Sequence, residues 1–339
     1  MSVSSKTSAK AETLEYGVVG QPGAATSGQS LRRYALLSIL LLEIAIFWLL
    51  EPSQFGTLSN LRTTLQSESV LGILALGVLI PLVAGEFDMS LAAVFTTSML
   101  VASSLTAHVE WPLAAALLAA VTCSAAIGFI TGLLVVLTRA NSLIVSLGMM
   151  ILLGGIGQAL TEGSTINVTG EPAEILRWFS SHFAFGYFPV LCLAIVASIT
   201  WYVTEMTPLG RRWHAVGGSP EGARLLGLKV DGLRVGAFAA GGALAGLAGV
   251  VQLSQSLAST ASFGSGFLFP AVAAVFLGAA GFRIGTFNVL GSLVAIFVLA
   301  VGVTGIKMLG APNWIDGVFY GGALIAAVAI ARMGLEQGS

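Results

Sequence analysis

The sequence predicts an all-α, polytopic membrane protein: about ten spanning helices, an inverted repeat, and broken or re-entrant segments. Two observations carry this. Hydrophobic residues make up 56% of the 339 and charged ones only 9%, whereas soluble domains carry about 25% charge. Apolar runs approaching the roughly 20 residues needed to cross a bilayer also recur ten times between polar connections. The 42 glycines fit helices that associate in lipid through close backbone approach. The net charge of -1 gives no bulk attraction for nucleic acid, and membrane lipid is the expected surroundings.

Taken in order, residues 1–33 are rich in Ser, Ala, Gly and Thr and read as a disordered cytoplasmic tail without a cleavable signal peptide. A membrane domain follows over 34–332, then a cytoplasmic tail over 333–339. The ten runs are Tyr34–Leu50, Val70–Ala84, Leu91–Ala107, Pro112–Leu137, Leu143–Leu160, Tyr187–Thr204, Val235–Leu253, Phe267–Gly281, Thr286–Ile306 and Ile315–Ala331. The second, third and eighth are short, which is why they are expected to be broken or re-entrant. Long connections occupy 161–186 and 205–234.

Lys and Arg set the direction. With the N-terminus in the cytoplasm, the inner segments hold Lys6, Lys10, Arg32, Arg33, Arg139, Arg211, Arg212, Arg224, Lys229, Arg234, Arg283 and Arg332, and the outer ones only Arg62, Arg177 and Lys307. That 12-to-3 split places both termini inside and disappears if one helix is dropped. Ala92–Phe95 recurs as Ala273–Phe276 in helices of opposite sense. This suggests the inverted repeat of many transporters, with chance recurrence as the alternative.

The stretch Ala84–Leu91 places Glu86 and Asp88 between two runs that would otherwise merge. A charge at a helix centre costs roughly 2.5–3.5 kcal/mol on insertion scales. The chain is therefore expected to break here, with the acids lining water or paired inside the bundle; a plain loop between two helices is the alternative. Asp88 and Ser90 are candidate caps of the next helix. In the cytoplasmic loop, Ser219-Pro220-Glu221 are helix-start signals and Gly227 a stop. The resulting short helix needs a surface to lie against; Ala223, Leu225 and Leu226 are free to dock, on a partner or on lipid headgroups.

At these residues the sequence resembles the ribose-type permeases of ATP-binding-cassette importers, within the branched-chain amino acid/ribose permease family. Gly210–Gly227 is similar to that family's Gly-Arg-x-x-x-Ala-x-Gly-Gly-x-x-x-x-Ala-Arg-x-x-Gly loop. The segment around Asp88 and Ser90 resembles Gly-Gly-x-Asp-Leu-Ser-Val-Gly, and Asn141–Met149 and Phe269–Gly291 resemble further markers. The likeness runs in order through about residues 35–332. It departs from the pattern at Glu86 and Ala92, where the family has Gly. The carboxylate signals either a different polyhydroxylated substrate or a pairing behind the path.

The resemblance implies a bacterial inner-membrane permease subunit that imports a monosaccharide or related polyol. It implies a homodimer or a heterodimer with a second permease, ATP-binding-cassette ATPase subunits that hold ATP and Mg, and a periplasmic substrate-binding protein. The short helix would act as the coupling helix, through Gly210, Arg211, Gly217, Gly218, Glu221, Ala223, Arg224 and Gly227. The path is expected to involve Glu86, Phe87, Asp88, Ser90, Asn141, Phe267 and Phe269. A packed core is an equal alternative for the two Phe residues near Gly264 and Gly266.

No G-x-x-x-x-G-K-[ST] motif occurs, so this chain is expected to bind no cofactor and to catalyse no reaction. His108, His182 and His214 have no metal-ligand spacing. Cys123 and Cys192 sit in apolar runs and read as small core residues. Glu43 is expected to face a neighbouring helix or snorkel, and Trp111, Trp178 and Trp314 to mark the outer boundary. The alternatives kept open are an ion-coupled secondary transporter using Glu86 and Asp88, and a related permease for branched-chain amino acids or nucleosides.

Overall fold

A computed structural model describes residues 34–181, 187–281 and 285–336, without the side chains beyond 329. The tails at 1–33 and 337–339, His182, Arg283 and the Arg332 side chain lie outside the described residues.

In chain order the helices are α1 (Ala35–Leu50), α2 (Leu58–Val83), α3 (Leu91–Ala107), α4 (Leu113–Thr138), α5 (Ser142–Thr161) and α6 (Gly170–Ser181). Then come α7 (Phe188–Trp201), α8 (Pro208–Gly218), α9 (Pro220–Leu225), α10 (Val230–Ser256), α11 (Leu268–Gly281), α12 (Val289–Met308) and α13 (Ile315–Glu336). A π turn over Tyr202–Met206 prolongs α7, and a 3-10 turn over Phe263–Gly266 precedes α11. With these turns, seven helices are long and apolar enough to cross a membrane, and α1, α3 and the apolar part of α13 are shorter apolar helices. All ten predicted runs are therefore helical, and the chain is a polytopic all-α membrane protein.

Two antiparallel residue pairs, Ile166↔Ser259 and Asn167↔Ala258, form β1 (Ile166–Asn167) and β2 (Ala258–Ser259) and tie the 161–186 connection to the end of α10. Helix starts carry the side chains that chemistry favours. Thr57, Asn141, Thr207, Ser219 and Asn288 each accept an N–H of the first turn.

The helices α6 and α8 have no counterpart among the predicted runs, because a search for apolar runs passes over amphipathic segments. Helix α2 begins at Leu58 rather than Val70. Its first turns, with Asn60, Arg62 and Thr63, are polar, so hydropathy marks only the later part of one continuous helix.

The core is organised around α10, which packs on α4, α2 and α3, while α11 packs on α12 and α13 and α1 on α12. The α4–α10 contact is close because both faces are small. A Cβ on Gly242 would sit 2.5 Å from the Ser124 carbonyl oxygen, and one on Gly128 would overlap the Phe238 carbonyl. In lipid, apolar surface alone gives neighbouring helices no preference for each other, so such contacts hold the bundle together. Cys123 and Cys192 are free thiols.

Candidate functional site

The α2–α3 break is extended chain secured by hydroxyls. Helix α2 stops at Gly85, whose φ of 81° is a left-handed conformation open to glycine. The Glu86 N–H reaches the Pro81 carbonyl and the Gly85 N–H that of Leu82, the paired closure of a Schellman terminus. From there the Phe87 N–H donates to Ser142 Oγ at 3.2 Å and the Met89 N–H to Ser146 Oγ at 3.0 Å. Ser142 and Ser146 are one turn apart on α5, so residues 87–89 run alongside its first turn. These two hydroxyls take the N–H groups that an uninterrupted helix would have bonded along its own ladder.

Of the two acids of the break, Glu86 is ion-paired, while Asp88 has one oxygen held and the other, Oδ2, buried without a partner. Glu86 is buried and forms an ion pair with Arg234 in the first turns of α10. Asp88 is buried too, and its Oδ1 accepts both the N–H (2.9 Å) and the hydroxyl (2.6 Å) of Ser90. Asp88 and Ser90 therefore do not cap α3 as expected: the Ser90 side chain makes no cap bond, because its backbone (φ -70°, ψ -17°) is already helical rather than in the extended conformation of a capping residue. Phe87 packs against Phe276 of α11 at 6.4 Å between ring centroids. Asn141 is exposed and serves as the N-cap of α5, accepting from the Leu143 N–H at 2.9 Å.

The same end of the molecule carries the 205–234 loop. Thr207 caps α8, and Gly210 sits where a side chain would overlap the Thr204 carbonyl. Trp213 is buried, with its indole N–H on the Leu233 carbonyl at 3.0 Å. Helix α9 starts at Ser219 and ends at Gly227 in a second Schellman closure, Leu228 N–H to Ala223 O and Gly227 N–H to Arg224 O. The sequence placed both ends of this helix. Ala223 does not face outward: it is buried against Val216 and Val230. Leu225 and Leu226 do, at 89% and 81% exposed. Glu221, Arg211 and Gly218 are exposed, and Arg224 pairs with Asp231 at 2.9 Å on the surface.

Break and loop meet directly. A Cβ on Gly85 would lie 3.0 Å from the Gly217 Cα, and one on Gly217 would overlap the Val83 carbonyl. The ends of α2 and α8 thus touch backbone to backbone. Arg234, Ser142, Ser146, Trp213 and Asp231 were not singled out from sequence. For the two serines there was a signal: i,i+4 spacing in a marker run puts them on one helix face.

Phe267 and Phe269 lie elsewhere. Phe267 stacks on Phe263 at 6.1 Å and tilts against Phe95 at 5.2 Å, while Phe269 is 58% exposed. Both line a cavity of about 560 Å³ with Ser67, Glu68, Asp316 and Tyr320. None of the break residues lines it. Glu43 is half-buried in α1, and its Oε2 has no hydrogen-bond partner.

Among the described residues, ten apolar helices, a break between two of them and a short helix displaying two leucines fit a transport permease. The chain belongs to the family described as the branched-chain amino acid transport system / permease component, which matches residues 60–328. It is 31% identical over 308 residues to the ribose import permease protein RbsC of Escherichia coli (strain K12), covering 90% of this chain and 95% of that one. It is 28% identical over 301 residues to the D-allose transport system permease protein AlsC of Escherichia coli (strain K12), covering 89% and 92%. It is 30% identical over 282 residues to the autoinducer 2 import system permease protein LsrC of Yersinia pestis (strain Pestoides F), covering 83% and 78%. No solved structure matches the chain.

Proposed function

We propose that this chain is the permease subunit of an ATP-driven importer for a monosaccharide or related polyol, working in the bacterial inner membrane with both termini in the cytoplasm. The observation that carries the reading is α9, a capped helix anchored by Ala223 that leaves Leu225 and Leu226 bare beside a family-typical loop. Two bare leucines on a polar surface mark a docking point. The partner is an ATP-binding-cassette subunit seated on α9, and ATP and Mg belong to that partner. A periplasmic binding protein delivers the substrate, and a second permease completes the path. The sugar class follows from the named substrates of the two Escherichia coli relatives.

The ion-coupled alternative needs Glu86 and Asp88 free for ions, whereas Glu86 is held by Arg234; Asp88 has one oxygen on Ser90 and the other, Oδ2, without a partner. The test is reconstitution in liposomes with an ATP-binding-cassette ATPase and a periplasmic binding protein from the same organism. The complete complex should take up sugar only with ATP. Leu225→Glu should abolish uptake and ATPase association while the chain still inserts and melts normally. Gradient-driven uptake by the chain alone would overturn the reading.

A further inference from the structure

The cavity of about 560 Å³ lies between α2, the Phe263–Gly266 turn with the start of α11, and the first turns of α13. It is far from the coupling loop: Glu68 stands 15 residues before the end of α2 at Val83, roughly 22 Å at 1.5 Å per residue. Two of its walls carry the same defect. Glu68 Oε2 and Asp316 Oδ1 are buried and accept no hydrogen bond. The other Asp316 oxygen is held by Lys307 at 2.6 Å. A buried carboxylate oxygen without a donor costs free energy comparable to a lost charged hydrogen bond, and such groups in native proteins call for a missing partner. The remaining walls are aromatic or apolar: Phe267, Phe269, Tyr320, Leu71, Pro270 and Leu324.

We propose that this cavity binds one polyhydroxylated ring on its way to the path, its hydroxyls donating to Glu68 and Asp316 and its C–H face lying on Phe269 and Phe267. A hydroxylated ring supplies both missing donors and an apolar face at once. A bare cation would satisfy the oxygens but not the aromatic walls, and Lys307 already offsets one of the two carboxylates. A branched-chain amino acid brings its own carboxylate against Glu68. The site thus deepens the sugar-permease reading and rests on it.

The test uses the full chain in liposomes with its ATPase and binding protein, and a panel of radiolabelled pentoses, hexoses and cyclitols. The wild type is expected to take up at least one of these. For that sugar, Glu68→Gln and Phe269→Ala should each raise the KM of uptake at least tenfold. Phe269→Tyr should stay near wild type. Phe269 is largely exposed, so its replacement leaves the core intact and keeps the proposal testable if Glu68→Gln fails to fold. Wild-type uptake with both variants within twofold of it overturns the cavity assignment and leaves the permease reading standing. Wild-type uptake of leucine but of nothing in the panel overturns the sugar reading and this proposal together.

Discussion

Glu86 and Arg234, 148 residues apart, share an ion pair at the foot of α2. Of the two explanations for the Glu86 carboxylate, a different substrate or a pairing, the geometry favours the pairing. The partners are unequally buried, with side-chain exposures of 7% for Glu86 and 23% for Arg234. Removing one member of a buried pair costs about 3–5 kcal/mol because the other charge is stranded. Arg234→Ala strands the deeper charge and should cost about 3 kcal/mol. Glu86→Gln leaves an arginine that reaches solvent and should cost less. Melting of the detergent-purified variants measures this order. Equal losses, or none for Arg234→Ala, would remove the pair as a stabilising element.

The hydroxyls under the break make a second prediction. Ser146→Ala leaves the half-buried Met89 N–H without its acceptor, at about 0.5–1.5 kcal/mol, and Ser142→Ala does the same for Phe87. Ser146→Thr retains the hydroxyl and should melt closer to wild type than Ser146→Ala. Hydrogen exchange should rise locally at residues 87–89 in the alanine variants. Unchanged protection there would mean the N–H groups have other acceptors.

Adjacent glycines at the end of α8 give a third. A Cβ on Gly217 meets the Val83 carbonyl, whereas Gly218 has nothing within 4 Å. Gly217→Ala should lower the melting temperature and sugar uptake, and Gly218→Ala should leave both near wild type. Equal behaviour would refute the contact between the ends of α2 and α8.

The α4–α10 interface gives a fourth. Gly128→Val drives a branched side chain into the Phe238 carbonyl, and overpacking of this kind costs about 1–3 kcal/mol or more. Gly236→Ala on α10 has open space around it and is the matched control. Thermal unfolding of both variants decides it.

Much of this was legible in the sequence. Hydropathy placed all ten apolar helices, and Ser219, Pro220 and Gly227 bounded α9, because those signals are local. The interruption at residues 84–90 was legible as well, since two carboxylates cannot sit in a lipid-facing span. Its wiring was not. That Glu86 meets Arg234, or that Ser142 and Ser146 satisfy Phe87 and Met89, depends on which helices become neighbours, and periodicity says nothing of that. Glu68 and Asp316 escaped notice for a related reason: they are far apart in sequence, and each acquires meaning only on the cavity that they share.

The seat of Gly217 on Gly85 also bears on how force travels through the chain. Side chains between two elements absorb displacement by rotating about their torsions. Main chain against main chain has no such slack. A displacement of the end of α8 therefore meets the foot of α2 directly, with no side chain between them to take it up. The elasticity lies one step further on, in residues 87–89, where single hydroxyl contacts replace a helical ladder and yield one at a time.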